Sequence, residues 1–197
     1  MSSGRVPYLA LAGLIILTLA ACPLPASRTE MNETFFQGRQ QNDIGIINTI
    51  AVLPGMGNSP YVEEATAYFT FLLKDDGRFG VVWPYNVEET YRNTGGKLDL
   101  ASMSSRQASE AGRLTGADAV VFLIFNTRKN PGEYAAPWSY TWAAASLIDS
   151  NSGAFIANCS VSNGTFPEFR QAEKASIQLF REFGKILDLI DSEEVAP

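Results

Sequence analysis

The chain has 197 residues, 46% of them hydrophobic, with 15 basic and 21 acidic side chains and no histidine. Its formal net charge of −6 repels phosphate backbones and no basic cluster offsets it, so nucleic acid is not expected as a partner. Histidine is the commonest metal ligand and the side chain that titrates near neutrality. Its absence argues against acid–base and zinc chemistry.

Residues 1–21 have the composition of an export signal. Arg5 and the amino group form a short positive region, and Tyr8–Leu19 is an apolar stretch that leads through small residues to Cys22. The twelve residues of this stretch span roughly 18 Å as a helix. The hydrocarbon core of a membrane is about 30 Å thick, so we do not expect this segment to remain as a membrane span.

The segment Leu19–Cys22, with the sequence LAAC, resembles the lipobox of bacterial lipoproteins. The resemblance implies a diacylglycerol on the sulfur of Cys22, cleavage before this residue and acylation of the new amine, which together anchor a protein stably. Pro23 stands where Asp often retains lipoproteins in the inner membrane. We therefore expect an outer-membrane anchor with the domain in the periplasm. An ordinary secretory signal that happens to contain a cysteine is the alternative.

Loss of the signal leaves 14 basic and 21 acidic side chains and a net charge of −7, because residues 1–21 contain one charged side chain. We assign residues 22–46 to the lipidated N-terminus and a polar linker, 47–192 to one folded domain and 193–197 to a tail. Cys159 is the only other cysteine, and lipid consumes Cys22, so no internal disulfide can form. We expect Cys159 to be buried in a strand.

The first half of the domain alternates strands and helices. Thr49–Leu53 is a short apolar run followed by a Pro-Gly pair, which is typical of a buried strand. A helix is predicted from Ser59 to Gly77, followed by a second strand at Phe79–Trp83. Phe71 lies off the apolar stripe of this helix. That stripe consists of Val62, Ala65, Phe69, Leu72 and Leu73.

The second half opens with a helix that has a capping-box pattern at Ser104 and ends at Gly116. Asn86–Met103 before it reads as a connection. Ala119–Phe125 is a continuous apolar run, predicted to be a central strand. The remaining predicted elements are strands at Ser139–Asp149 and Ala154–Ser162, a turn at Asp149–Gly153 and a helix at Pro167–Asp191. The order β-α-β-α-β-β-β-α predicts one α/β domain with a mixed sheet packed by helices.

Four stretches of this pattern resemble the periplasmic domain of the CsgG/LpoB/PelC family, over roughly residues 48–190. They are Ile50–Pro54, Gly77–Val82, Ala111–Val121 and Leu147–Gly153, in this order behind the lipobox. The family includes the curli export pore, an activator of peptidoglycan synthases and a polysaccharide-export lipoprotein. The resemblance therefore implies a lipoprotein of the cell envelope.

Few residues suggest chemistry. Gly55–Ser59 lies between a strand and a helix, where α/β proteins hold phosphates. The G-x-G-x-x-G pattern needs a third glycine where Pro60 stands, and no Walker lysine follows. Asp118 is expected to bind backbone at a strand entry, and Asp149 to form a turn. We predict no catalytic residue, no cofactor and no metal site, and hence no enzyme.

Two places could form contacts with partners. Trp138, Tyr140 and Trp142 share one face of a predicted strand because side chains alternate along it. Helices could cover this face, or it could be an exposed aromatic ladder for a partner or a membrane. Phe71 is the second candidate. Envelope proteins, including further copies of the chain, are the expected partners besides the membrane.

Three functions remain open. The first is a non-catalytic outer-membrane lipoprotein that serves as a structural or assembly component of an envelope export system for polysaccharide or a protein fibre, with a ring as one arrangement. The second is a regulator of a peptidoglycan synthase, which a linker of only about 23 residues disfavours because such an enzyme lies across the cell wall. The third is a small-molecule-binding or hydrolytic domain.

Overall fold

A computed structural model describes residues 32–36, 46–130, 138–165 and 171–194. In these ranges the strands are β1 Asn32–Phe36, β2 Thr49–Val52, β3 Gly80–Val82, β4 Ala119–Asn130, β5 Trp138–Asp149 and β6 Phe155–Thr165. The helices are α1 Val62–Asp76, α2 Pro84–Asn93, α3 Ser105–Thr115 and α4 Gln171–Glu194, with one 3-10 turn at Leu100–Ser102. No helix of the described ranges has the length and apolar composition that a membrane crossing requires.

The strands form one sheet in the order β1-β6-β5-β4-β2-β3. β2 pairs in parallel with β3 and β4, whereas the pairs β4–β5, β5–β6 and β6–β1 are antiparallel. β4 is an interior strand, as its apolar run predicts. The structure thus confirms the predicted fold class, an α/β domain with a mixed sheet and helices packed on it.

Helices cover both faces of the sheet. α1 and α4 pack on one face around Phe69, whose ring contacts Phe180 and Phe183 edge-on at centroid distances of 5.8 and 5.5 Å. α2 and α3 pack on the other face, over a smaller cluster that includes Val87 and Ala111. α4 buries an apolar stripe against the sheet and α1. Its fully buried members are Leu179, Phe183, Ile186, Leu187 and Ile190.

The predicted helix ends are confirmed by their capping contacts. The Gln107 amide donates to the Ser104 hydroxyl at 3.3 Å, and the Ser104 amide donates to the Gln107 side chain at 3.1 Å. This reciprocal pair is the capping box that opens α3. Gly77 and Gly116 end α1 and α3 with φ of 77° and 70°, a left-handed conformation that glycine adopts without strain.

Two helices differ from the prediction. α1 begins at Val62 rather than Ser59, because the preceding loop pairs with β4 instead of coiling. α2 lies inside the segment that we read as a connection. It buries only Val87 and Tyr91, one turn apart, and its exposed side is strongly polar, so its apolar stripe is too narrow to identify from the sequence.

β1 lies inside the segment assigned to the linker. It pairs antiparallel with β6, with Asn32 opposite Val161 and Phe36 opposite Ala157, and forms one edge of the sheet. A five-residue strand that begins with Asn, Glu and Thr is too short and too polar to give a periodic signal.

Candidate interaction surfaces

The backbone amides of the loop after β2 donate hydrogen bonds to carbonyl groups of β4. Met56 donates its amide to the Leu123 carbonyl at 3.0 Å, and Ser59 donates to the Phe125 carbonyl at 3.1 Å. The loop therefore continues the pairing of β2 along β4. These N–H groups have partners within the protein and do not form a phosphate cradle.

Side chains fix the same loop to β4. The backbone amide of Asn58 donates to the side-chain oxygen of Asn126 at 3.0 Å, and the backbone amide of Thr127 donates to the side-chain oxygen of Asn58 at 2.7 Å. The two asparagines thus bridge loop and strand in both directions. The helix that follows carries Glu63 and Glu64 in its first turn, which disfavours an anion at that end.

Gly57 occupies the tightest point of this loop. Its φ is 124°, and a Cβ atom added to it would lie 1.9 Å from the Phe125 carbonyl oxygen. We expect Gly57→Ala to lower the free energy of unfolding by about 1–3 kcal/mol or more, because the residue is strained and the loop must leave β4. Gly95→Ala is the matched control, since Gly95 also has positive φ but nothing lies within 4 Å of its added Cβ. Equal losses in urea denaturation would contradict the role of the close contact.

Two aspartates have the structural roles expected of them. The Asp118 carboxylate accepts the amides of Asn48 and Thr49, each at 2.9 Å, and so fixes the chain at the entry to β2. The Asp149 carboxylate accepts the Ser152 amide at 2.6 Å and stabilises the turn between β5 and β6. Both carboxylates thus accept backbone amides, Asp118 across the sheet and Asp149 within its own turn.

Phe71 is exposed on α1, with 54% of its surface accessible, and it lies off the core stripe as predicted. Glu64, Ala67 and Asp75 are exposed beside it on the same side of the helix. We call these four residues the α1 outer face. An aromatic side chain between carboxylates suits contact with another protein better than contact with an acidic lipid surface.

α4 carries an exposed face that the sequence analysis did not single out. Lys174, Arg181 and Lys185 are exposed, and Leu189 is 43% exposed. We call these four residues the α4 outer face. These four positions are spaced by seven, four and four residues, so they lie on one side of the helix, opposite its buried apolar residues. Helical periodicity in the sequence could have identified them. Basic side chains with long aliphatic stems and a leucine form an amphipathic surface.

The aromatic positions of β5 lie on a different side of the molecule from Phe71. Trp142 is half-buried and lies on the same face of β5 as Ile148, which packs under α2 and α3. The register places Trp138 and Tyr140 on that same face, but their side chains lie outside the described part of the chain. Cys22 also lies outside the described residues. Phe71 and Trp142 therefore lie on opposite sides of the sheet.

Cys159 is buried in β6 with 1% of its surface exposed, as predicted. Burial raises the pKa of its thiol to about 12. We expect thiol reagents to label the native protein far more slowly than the unfolded protein. Because the folded pKa lies above the ordinary value of 9.0, stability should fall as the pH rises from about 9 to 12, and Cys159→Ala should remove this part of the pH dependence. Rapid labelling of native protein, measured by mass spectrometry, or a disulfide-linked dimer would contradict burial.

A cavity of about 320 Å³ lies beside α2 and is lined by Glu88, Arg92, Gly96, Lys97 and Leu98. Its two cationic side chains are exposed, so the cavity does not hold them in a fixed geometry for a ligand. Within the described ranges no three or more acidic, cysteine or histidine side chains are grouped so that they could hold a metal ion.

No protein-family model and no curated protein matches the chain, whereas several solved structures do. The PelC dodecamer from Paraburkholderia phytofirmans is similar with a TM-score of 0.51 at 14% identity, over 82% of this chain and 97% of that chain. Lipoprotein GNA1162 from Neisseria meningitidis gives 0.48 at 18% identity, over 72% and 99%. The LpoB C-terminal domain from Escherichia coli gives 0.41 at 19% identity, over 61% and 83%. The likeness to PelC establishes a shared fold and confirms the resemblance drawn from the sequence.

Proposed function

We propose that this protein is a lipoprotein of the outer membrane, anchored through Cys22, and a non-catalytic structural component of an envelope export system. Its α/β domain lies in the periplasm and assembles with identical copies into a ring. The exported material is a polysaccharide or a protein fibre. The fold shared with PelC, which forms a dodecamer, is the observation that carries this proposal.

Two exposed faces on α1 and α4 support assembly with identical copies. Phe71 is 54% exposed between carboxylates on α1, and Leu189 is 43% exposed among basic side chains on α4, so each face combines apolar area with charge, as surfaces for another protein do. The interior of the described chain supports a non-catalytic role. The loop amides that could bind phosphate serve β4, and the aspartates at the strand entry and the turn serve the backbone.

A regulator of a peptidoglycan synthase is the second candidate, because such activators share the family resemblance. This role needs a long connection between the outer-membrane anchor and the partner enzyme. The segment between Cys22 and the domain is short, which favours a component that works close to its own membrane.

The proposal is tested by extracting the full-length lipidated protein from membranes with mild detergent. We expect it to fractionate with the outer membrane and to give a particle mass, by light scattering corrected for detergent, that is a multiple of the protomer mass. Association can require the high local concentration that a membrane provides, so the lipidated protein is the decisive sample. A strictly monomeric lipidated protein at high concentration would contradict ring assembly.

A further inference from the structure

The α1 and α4 outer faces have opposite charge. The α1 outer face has two carboxylates, Glu64 and Asp75, around Phe71. The nearby cation Lys74 lies over the ring of Trp83, 5.9 Å from its centroid, and so points toward the edge of the sheet. The α4 outer face has three cations and Leu189. Asp188 is exposed beside it but pairs with Arg78 at 2.8 Å, and the Lys185 ammonium pairs with Glu182 at 2.6 Å, so the face keeps an excess of positive charge. One face of the protein is therefore complementary to another face of the same protein.

The two faces lie on opposite flanks of the helix pair. α1 turns Phe69 toward α4, and Phe71 is 200° further around the helix at 100° per residue. α4 turns Phe183 toward α1, and Arg181 and Lys185 are each 200° away from it. The two outer faces therefore cannot meet within one copy, whereas α1 of one copy can meet α4 of the next.

The two helices run in the same direction, and their contacts fix their relative height. The Ser176 hydroxyl donates to the Ala65 carbonyl at 2.9 Å, 111 positions apart in the sequence. Arg78, just after α1, donates to Asp188 and Asp191 at 2.8 and 3.2 Å, 110 and 113 positions apart. We call a residue of α1 and a residue of α4 level when they lie at the same position along the shared helix direction. Level residues differ by about 110 to 114 in number.

This alignment places opposite charges at matching heights. Glu64 is level with the first turn of the α4 outer face, where Lys174 lies. Phe71 is level with the gap between Arg181 and Lys185, whose aliphatic stems and cationic groups suit an aromatic ring. Asp75 is level with the gap between Lys185 and Leu189. Copies placed side by side at one height therefore bring Glu64 opposite Lys174, and Asp75 near Lys185, whose ammonium also pairs with Glu182 of its own helix at 2.6 Å.

We infer that the α1 outer face of one copy binds the α4 outer face of a second copy. The inference rests on the proposed ring assembly and specifies its interface. The contact is heterologous, because two different faces meet, so it repeats from copy to copy and closes into a ring when the rotation allows. All copies then point in one direction, which keeps their lipid anchors on one side.

Charge reversal with rescue tests this contact on full-length lipidated protein in detergent. We expect Glu64→Lys and Lys174→Glu each to raise the apparent dissociation constant by about three- to tenfold, and the double variant to recover most of the loss. Glu89→Lys is the control, because Glu89 is exposed on α2, which packs on the other face of the sheet. Circular dichroism of each variant confirms that it is folded.

Engineered cysteines test the head-to-tail geometry in a Cys159→Ala background. We expect Phe71→Cys and Arg181→Cys variants to form disulfide-linked dimers when the two are mixed, but not when either is oxidised alone. A chain with both cysteines should give a ladder of covalent multimers. Dimers of Phe71→Cys alone would overturn the inference in favour of a symmetric contact.

The outcomes separate the inference from the proposed function. If the wild-type protein assembles and neither the charge variants nor the mixed cysteines respond, the interface is wrong while ring assembly stands. If the wild-type lipidated protein does not assemble, ring assembly fails and the interface fails with it.

Discussion

We expect Phe69→Ala to lower the free energy of unfolding by about 3–5 kcal/mol, the largest stability effect among the substitutions considered. Phe69 is completely buried, and its ring lies edge-on against Phe180 and Phe183, so truncation removes two aromatic contacts and leaves a cavity between α1 and α4. Urea denaturation followed by circular dichroism measures the loss.

Phe71→Ala is the matched control for this prediction, because it removes the same ring from the same helix. Phe71 is 54% exposed, so its replacement should change the free energy of unfolding of the monomer by no more than about 0.5 kcal/mol. The same variant should weaken assembly, so the two phenylalanines separate folding from association. Similar stability losses at the two positions would show that α1 does not pack as described.

The second large effect is expected from Cys22→Ser. In the proposed anchoring the Cys22 thiol receives a diacylglycerol, which a hydroxyl cannot replace, so the variant should accumulate as an uncleaved or mislocalised precursor. One acyl chain binds membranes only marginally and two or more anchor stably, so loss of lipid should release essentially all anchoring. Membrane fractionation and intact-mass spectrometry measure both results.

Cys159→Ala is the control for this prediction, because it removes the other cysteine and should be processed and anchored like the wild type. An unmodified, soluble mature wild-type protein would overturn the assignment of Cys22. It would also remove the membrane from the list of partners.

The elements that were predicted correctly have an apolar run or stripe, most of them bounded by capping or turn residues. β4 is a continuous apolar run, and α3 has a capping box and a glycine end, so both follow from local sequence. α2 and β1 depend on tertiary contacts instead. α2 buries two residues against the sheet, and β1 exists because β6 offers an unpaired edge.

The candidate surfaces, like the elements, could be predicted from the sequence only where they depend on a single helix. The position of Phe71 follows from helical periodicity, because one aromatic residue lies off the stripe of a single element. The match between the α1 and α4 outer faces depends on the relative height of two helices separated by about 110 residues. Hydrogen bonds and ring contacts determine that height, and no pattern within either helix contains it.

The pairing of β1 with β6 also limits how far the domain can travel from the proposed anchor. Ten backbone steps separate Cys22 from Asn32, at most about 35 Å of fully extended chain. A lipid at Cys22 then confines the domain to a thin layer against the membrane, where copies diffuse in two dimensions. Encounters in such a layer occur sideways, flank against flank, and this is the approach by which α1 of one copy reaches α4 of the next.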